Sequence, residues 1–229
     1  MSLKQLEKLP PSMQNDEVKK YLPYLDGHGA TFALKRFFDI VVCLLLLLIT
    51  SPILIICGIL VKCTSKGPVF YRQERVGRYD KTFRIFKFRT MVQNADKIGA
   101  KLTVGDRDPR ITKFGHFLRK TRLDEFPQFL NVLAGHMSLV GPRPEVRHYV
   151  DAYTDEMMAT LLVRPGITGM ASIEFRNEND MLAGKEEPER YYIEEILPKK
   201  MKINLEYIKD ISIKEDFLIL CRTVKCAFV

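Results

Sequence analysis

Two adjacent carboxylates, Asp124 and Glu125, stand directly behind a basic run of Arg119, Lys120 and Arg122. Carboxylates among fixed cations suit a site that holds a divalent metal and a phosphate group together. The surrounding stretch reads GHFLRKTRLDEFPQFLNVLAGHMSLVGPRPE and closes on Gly141-Pro142-Arg143-Pro144. After the carboxylates, Phe126, Phe129, Leu130 and Leu133 recur at i, i+3, i+4 and i+7, the spacing of a packed helix. Pro127 fits best in the first turn of that helix, whose amides lack partners. Asp124 then falls near the N-cap and Glu125 in the opening turn. A helix cap alone would account for Asp124, stabilising by about 1 kcal/mol. Successive helix positions diverge by about 100°, so both carboxylates can converge on one ligand only at such a terminus.

Further cations flank the dyad. Residues 69–75 and 82–89 are strand-like, separated by a turn from Gly77 to Lys81, and read as a β-hairpin. On the second strand Lys87 and Arg89 share the face of Phe83 and Ile85, so the two cations would stand together. A solvated edge strand has the same pattern. Arg164 lies in a loop-like stretch beside Pro165-Gly166. Residues 110–122 put Ile111, Phe114 and Leu118 at helical spacing among Lys113, Arg119, Lys120 and Arg122. Such a helix lies well on an anionic membrane, each cation contributing about 1 kcal/mol near the surface. A helix on nucleic acid would look similar, but no nucleic-acid fold signature accompanies it.

The elements that must position these groups divide the chain in three. Residues 1–34 are polar and lysine-bearing, either a short peripheral helical extension or a poorly ordered tail. Within residues 35–64, Ile40 to Val61 is a run of 22 residues without a charge. As a helix it covers about 33 Å, enough to cross a bilayer. Thr50-Ser51-Pro52 sits at its middle, where proline removes a backbone bond. Lysine and arginine do not distinguish its sides: six lie in residues 1–36 and six in residues 62–81. The positive-inside rule then favours a re-entrant helix–break–helix hairpin with both ends on one side. A kinked span and a buried soluble helix are the alternatives. Residues 65–229 form the remaining domain, and the fold class is α+β, mostly helical with a short β-hairpin and interfacial amphipathic helices. The tail places Ile213, Phe217, Leu220, Val224 and Phe228 on one stripe, read as core packing, with membrane contact as the alternative.

Composition narrows the partners. Of 229 residues 46% are hydrophobic, and the net charge of +8 asks for an anionic partner: nucleic acid, anionic lipid or a phosphorylated substrate. The five cysteines form no CxxC pair and lie near no histidine at metal-ligand spacing, which argues against zinc and a disulfide framework.

Four stretches carry a resemblance: Lys35-Arg36-Phe37-Phe38-Asp39, Phe86-Lys87-Phe88-Arg89-Thr90-Met91, Leu123-Asp124-Glu125 through Met137-Ser138-Leu139-Val140-Gly141-Pro142-Arg143-Pro144, and Arg164-Pro165-Gly166-Ile167-Thr168-Gly169. In this order they resemble the bacterial sugar transferases, specifically the short catalytic form of the monotopic phosphoglycosyl transferases. The resemblance implies a re-entrant helix broken at Ser51-Pro52 and transfer of a phosphosugar from a nucleotide sugar, UDP-linked, to polyprenol phosphate such as undecaprenyl phosphate. UMP and a polyprenyl-diphosphate sugar would be the products, in the first membrane step of glycoconjugate assembly. By the resemblance Asp124 attacks the sugar-bearing phosphate, Glu125 with Asp124 holds Mg²⁺, and Lys87, Arg89, Arg143 and Arg164 bind substrate phosphate. The implied location is the bacterial inner membrane, with the catalytic domain facing the cytoplasm. After Gly169 relatives often read Trp-Ala-Gln-Val-Asn-Gly-Arg-Asn, whereas this chain has Met170 to Asn177 as MASIEFRN, so sugar preference does not carry over. Two other readings fit parts of the pattern. A membrane-surface scaffold has no need of the dyad, and a magnesium-dependent nucleotide-sugar hydrolase would turn over without lipid acceptor.

Overall fold

Two helices of opposite character open the chain in a computed structural model that describes residues 7–95 and 108–227. Helix α1 (Asp16–Leu25) starts at Asn15, whose Oδ1 accepts from the Val18 amide at 2.8 Å. Val18, Tyr21, Leu22 and Leu25 fall at i, i+3, i+4 and i+7 and are all buried. With Leu9 and Met13 they join the main core. The peripheral extension expected over residues 1–34 is therefore, from Leu9 onward, a core element; residues 1–6 lie outside the described residues. Its polar composition hid a narrow apolar stripe.

Helix α2 (Gly29–Thr64) contains the whole apolar run, 36 residues in all. Leu48 and Ile49 are 73% and 71% exposed, which rules out a helix buried in a soluble core. It is long and apolar enough to cross a membrane. Helix runs through Ser51 and Pro52, so the expected hairpin is not divided into two separate helices. Proline cannot donate to the Leu48 carbonyl four residues back. The Ser51 hydroxyl donates to that carbonyl instead, at 2.9 Å, so no acceptor is stranded and the helix continues.

Both ends of α2 are tied to the same globular part. Near its start, Lys35 donates to the Val140 carbonyl at 2.9 Å and pairs with Asp216. Arg36 donates to the carbonyls of Val132 and Leu133, at 2.6 and 3.1 Å. Asp39 accepts from the Leu139 amide at 3.1 Å. Near its end, Cys57 and Val61 pack on Phe88 and Leu118.

The expected hairpin is present but split into two antiparallel ladders. Strand β1 (Phe70–Tyr71) pairs with β4 (Lys87–Phe88), and β2 (Glu74–Val76) with β3 (Thr82–Arg84). At the gap the buried Asn131 amide inserts, accepting from Phe86 N at 2.8 Å and donating to Arg84 O at 2.9 Å. Helix α3 (Lys113–Lys120) buries Leu118 against α2 and leaves Phe117 exposed. A 3₁₀ segment, Leu123–Gln128, leads into the short helix α4 (Phe129–Leu133). Strand β5 (Ser138–Val140) pairs in parallel with β6 (Gly166–Thr168).

The remainder is helical. Short turns α5 (Arg147–Val150), α6 (Met170–Glu174), α7 (Glu178–Leu182) and α8 (Pro188–Tyr191) precede α9 (Leu197–Lys209) and α10 (Ile213–Ala227). On α10 the core-packing expectation holds in part: Leu220 packs half-buried on the main core. Asp216 and Ile219 are buried, whereas Phe217 and Val224 are 65% and 57% exposed. Asp216 accepts from Tyr207 at 2.7 Å and pairs with Lys35, and this polar anchor turns part of the sequence stripe outward. Phe228 of that stripe lies outside the described residues.

Candidate active site

Three segments distant in sequence deliver one charged cluster. Strand β4 carries Lys87, the 3₁₀ segment carries Asp124 and Glu125, and the turn after β5 carries Arg143. The 3₁₀ segment is fixed from both sides: Asn131 ties the adjoining α4 to the hairpin, and Arg122 before it is left-handed at φ 57°. No side chain caps this segment, so Asp124 is not the helix cap that its position allowed. The tight 3₁₀ turn at Pro127 moved the start of the helix beyond both carboxylates.

Lys87 Nζ lies 2.9 Å from Glu125 Oε1, and Arg143 grips the same carboxylate through both terminal nitrogens. Arg143 Nη1 also reaches the Ile167 carbonyl at 3.3 Å, tying the turn to β6. That turn sits where backbones nearly touch: a Cβ on Gly141 would meet Arg164 O at 2.7 Å. Behind it Arg75 donates to Pro144 O at 3.1 Å, and Glu145 accepts from Lys200 at 3.0 Å and Tyr192 at 2.7 Å. These supports (Arg75, Asn131, Glu145 and Lys200) were not singled out in the sequence. Nothing in their spacing marks them; only their burial does.

The two carboxylates differ sharply. Glu125 would be pushed up by burial, but Arg143 and Lys87 hold its carboxyl well below the usual range. Burial and the neighbouring Glu125 push Asp124 up, against the pull of Lys87, Arg119 and Arg122. Asp124 is 8% exposed, and no described residue donates a hydrogen bond to it. Burial lowers Lys87, opposed by Glu125. A partly dehydrated carboxylate with free lone pairs, beside two cations already aligned by a second carboxylate, is an arrangement for attack on a phosphate.

Donor chemistry also fits magnesium. No group of three histidine, cysteine or acidic side chains gathers among the described residues. Magnesium, however, uses one or two carboxylates when substrate phosphates complete its shell. Asp124 has open oxygens, and Glu125 Oε2 accepts only from Arg143 Nη1, leaving one acceptor site.

The structure does not bring Arg89 or Arg164 to this cluster. Strand β4 ends at Phe88, and Arg89 turns to the end of α2, donating to Ser65 O at 2.7 Å and Val61 O at 3.3 Å. Those carbonyls belong to a helix terminus that lacks internal partners. Arg164 Nε instead donates to Gly135 O at 3.0 Å. Ser51 and Pro52 lie in α2, remote from the cluster in sequence and in exposed apolar surroundings.

A profile for the family described as bacterial sugar transferase matches residues 30–229. A UDP-glucose:undecaprenyl-phosphate glucose-1-phosphate transferase of Escherichia coli K12 is 42% identical over 88% of this chain and 41% of its own length. A UDP-N-acetylgalactosamine-undecaprenyl-phosphate N-acetylgalactosaminephosphotransferase of Aeromonas hydrophila is 39% identical over 84% of this chain and 43% of its own. An uncharacterized sugar transferase, EpsL, of Bacillus subtilis is 37% identical over 86% of this chain and 88% of its own. The chain thus spans about two fifths of the first two relatives and most of the third.

Proposed function

The chain belongs to the bacterial sugar transferase family, and from that premise we propose that it transfers a phosphosugar from a UDP-sugar to polyprenyl phosphate. The E. coli and Aeromonas relatives act, by name, on a UDP-sugar and undecaprenyl phosphate, which supports both substrate classes. The observation that carries the reading is the Lys87–Glu125–Arg143 cluster beside a buried Asp124 that no described residue hydrogen-bonds.

Asp124 attacks the β-phosphorus of the nucleotide sugar. The bond from that phosphorus to the bridging oxygen breaks, and UMP leaves with the electron pair. An oxygen of polyprenyl phosphate then attacks the aspartyl phosphosugar, giving polyprenyl-diphosphate sugar and restoring the carboxylate. Lys87 and Arg143, held in position by Glu125, neutralise charge on the transferring phosphoryl group. Two cations and two carboxylates sum to zero, so an arriving diphosphate needs further positive charge. Magnesium on Glu125 and Asp124 supplies it when bound.

We read α2 as re-entrant, entering and leaving one leaflet of the bacterial inner membrane, with the catalytic part on the cytoplasmic side. Supporting this, both ends of α2 are bound to one globular part. Contacts at both ends favour a path that returns to the side it entered, by a bend at Pro52, where a backbone hydrogen bond is missing. The site then sits at headgroup height, where a soluble donor and a greasy acceptor can meet.

Intact-protein mass spectrometry of the detergent-solubilised chain tests the reaction. Incubation with a panel of UDP-sugars and no acceptor should give a phosphosugar adduct, discharged by undecaprenyl phosphate. Continuous UMP release without lipid would identify a hydrolase instead. Product formed only with both substrates, and no adduct, would favour direct displacement.

A further inference from the structure

A small, partly open cavity is lined by Lys35, Arg36, Arg78, Arg164, Asp39 and Ser138. Its charges do not balance. Lys35 is paired with Asp216, which leaves three guanidinium groups facing the single carboxylate of Asp39. Burial lowers the Arg164 pKa, and repulsion from Arg78 and Arg36 lowers it further, so these groups crowd one another. Structural duties use only part of their donors. Arg36 holds the last carbonyls of α4, Arg164 Nε holds Gly135 O, and Arg78 Nε holds Leu162 O at 3.1 Å. No described residue accepts from the terminal nitrogens of Arg164. Ser138 adds an independent sign: its hydroxyl is buried and has no hydrogen-bond partner. An unmade bond at a buried hydroxyl is a cost that a ligand oxygen would remove.

Depth identifies the source of the anion. Lys35 and Arg36 stand one helical turn before Ile40, where the apolar run begins, and Phe37 and Phe38 are exposed at the same turn. The cavity therefore opens where α2 would meet the headgroups. We propose that this cavity is a second phosphate site, separate from the Glu125 cluster, that takes the phosphate group of a membrane lipid between Arg78 and Arg164, with the Ser138 hydroxyl as a further donor. It gives Arg164 a phosphate to bind, though not the one at the dyad. Val140 lines the cavity and Arg143 follows three residues later in the sequence. The proposal rests on the membrane reading of α2 and not on the transfer reaction.

Native mass spectrometry of the full chain in detergent tests it, with separate titrations of phosphatidylglycerol, undecaprenyl phosphate, diacylglycerol and inorganic phosphate. The wild type should retain one phosphate-bearing lipid and no diacylglycerol; whichever phosphate lipid is retained at the lower concentration identifies the natural source. Ser138→Ala and Arg78→Gln should each weaken retention about tenfold, the effect of one charge-assisted contact. Without lipid, Ser138→Ala should melt no lower than wild type, because its hydroxyl bonds to nothing; it carries the test if Arg78→Gln fails to fold. Asp124→Asn should retain lipid as wild type does, so loss of the transferase reading leaves this result standing. Equal retention by wild type and Ser138→Ala overturns the proposal, as does equal retention of diacylglycerol. Stabilisation by inorganic phosphate with no lipid retained overturns the lipid source.

Discussion

Asp124 is the one member of the dyad that the protein leaves without a hydrogen bond among the described residues, and that isolation has a measurable cost. Its carboxyl is raised by burial and by Glu125. For an acid raised on folding, the penalty sets in as pH climbs through the unfolded value, about 3.9, and is complete above the folded one. Asp124→Asn should therefore abolish the phosphosugar adduct and yet raise the melting temperature at neutral pH by about 2–4 °C, the effect of about 1 kcal/mol. A melting temperature that falls instead would mean the carboxylate is structurally paired. Lys87→Ala and Arg143→Ala should each slow adduct formation by about 10²–10³ while the chain stays folded, as judged by single-turnover kinetics. Near-normal rates for either would make that residue part of the scaffold. At this scale the sequence was readable for the gathering of Lys87, Glu125 and Arg143 beside Asp124, because all four lie in dense motifs. It was not readable for Arg89 and Arg164. A guanidinium goes to whichever unpaired carbonyls lie within reach, and those of Val61, Ser65 and Gly135 are set by tertiary structure.

Among the elements, α2 carries the largest consequence. Arg89 closes its end, so Arg89→Ala should leave the Ser65 carbonyl without its donor and lower stability by about 1–3 kcal/mol, visible as a lower melting temperature in detergent. An unchanged melt would show that water replaces the guanidinium. Topology has its own measurement. Cysteines placed at Lys20 and Lys81, in a chain whose own cysteines are replaced, should both be labelled from the cytoplasmic side. Opposite accessibility would establish a span. The apolar run and the hairpin were plain in the sequence, since long hydrophobic stretches and alternating strands dominate their own local signal. Continuity through Pro52 was not plain, because it depends on the Ser51 hydroxyl standing in for the missing amide. The burial of helix α1, though not its helicity, was missed for the opposite reason: its four core positions alternate with charged neighbours. On α10 a buried aspartate outweighed part of the apolar stripe, and periodicity alone says nothing about such an anchor.

Across the whole molecule, ion pairs join segments far apart in sequence. Burial pushes Glu125 and Glu145 up, yet their cation partners hold both carboxyls below the ordinary range. Their stabilisation is full above about pH 4.3 and is lost as pH falls through the folded values. Acid unfolding should begin below that point, and Glu145→Gln should flatten the decline in a pH series of thermal melts. A decline unaltered in the variant would assign it to other carboxylates. One of these links also dictates an order in time. Lys35 on α2 finds its partner Asp216 only 181 positions later. At ribosomal speeds that is a wait of roughly ten to forty seconds. The greasy helix leaves the ribosome long before the surface that will clamp its ends exists, so on the proposed membrane reading lipid is the first partner it meets. On that reading the globular part is assembled onto a helix already seated, and delayed insertion should yield an aggregate.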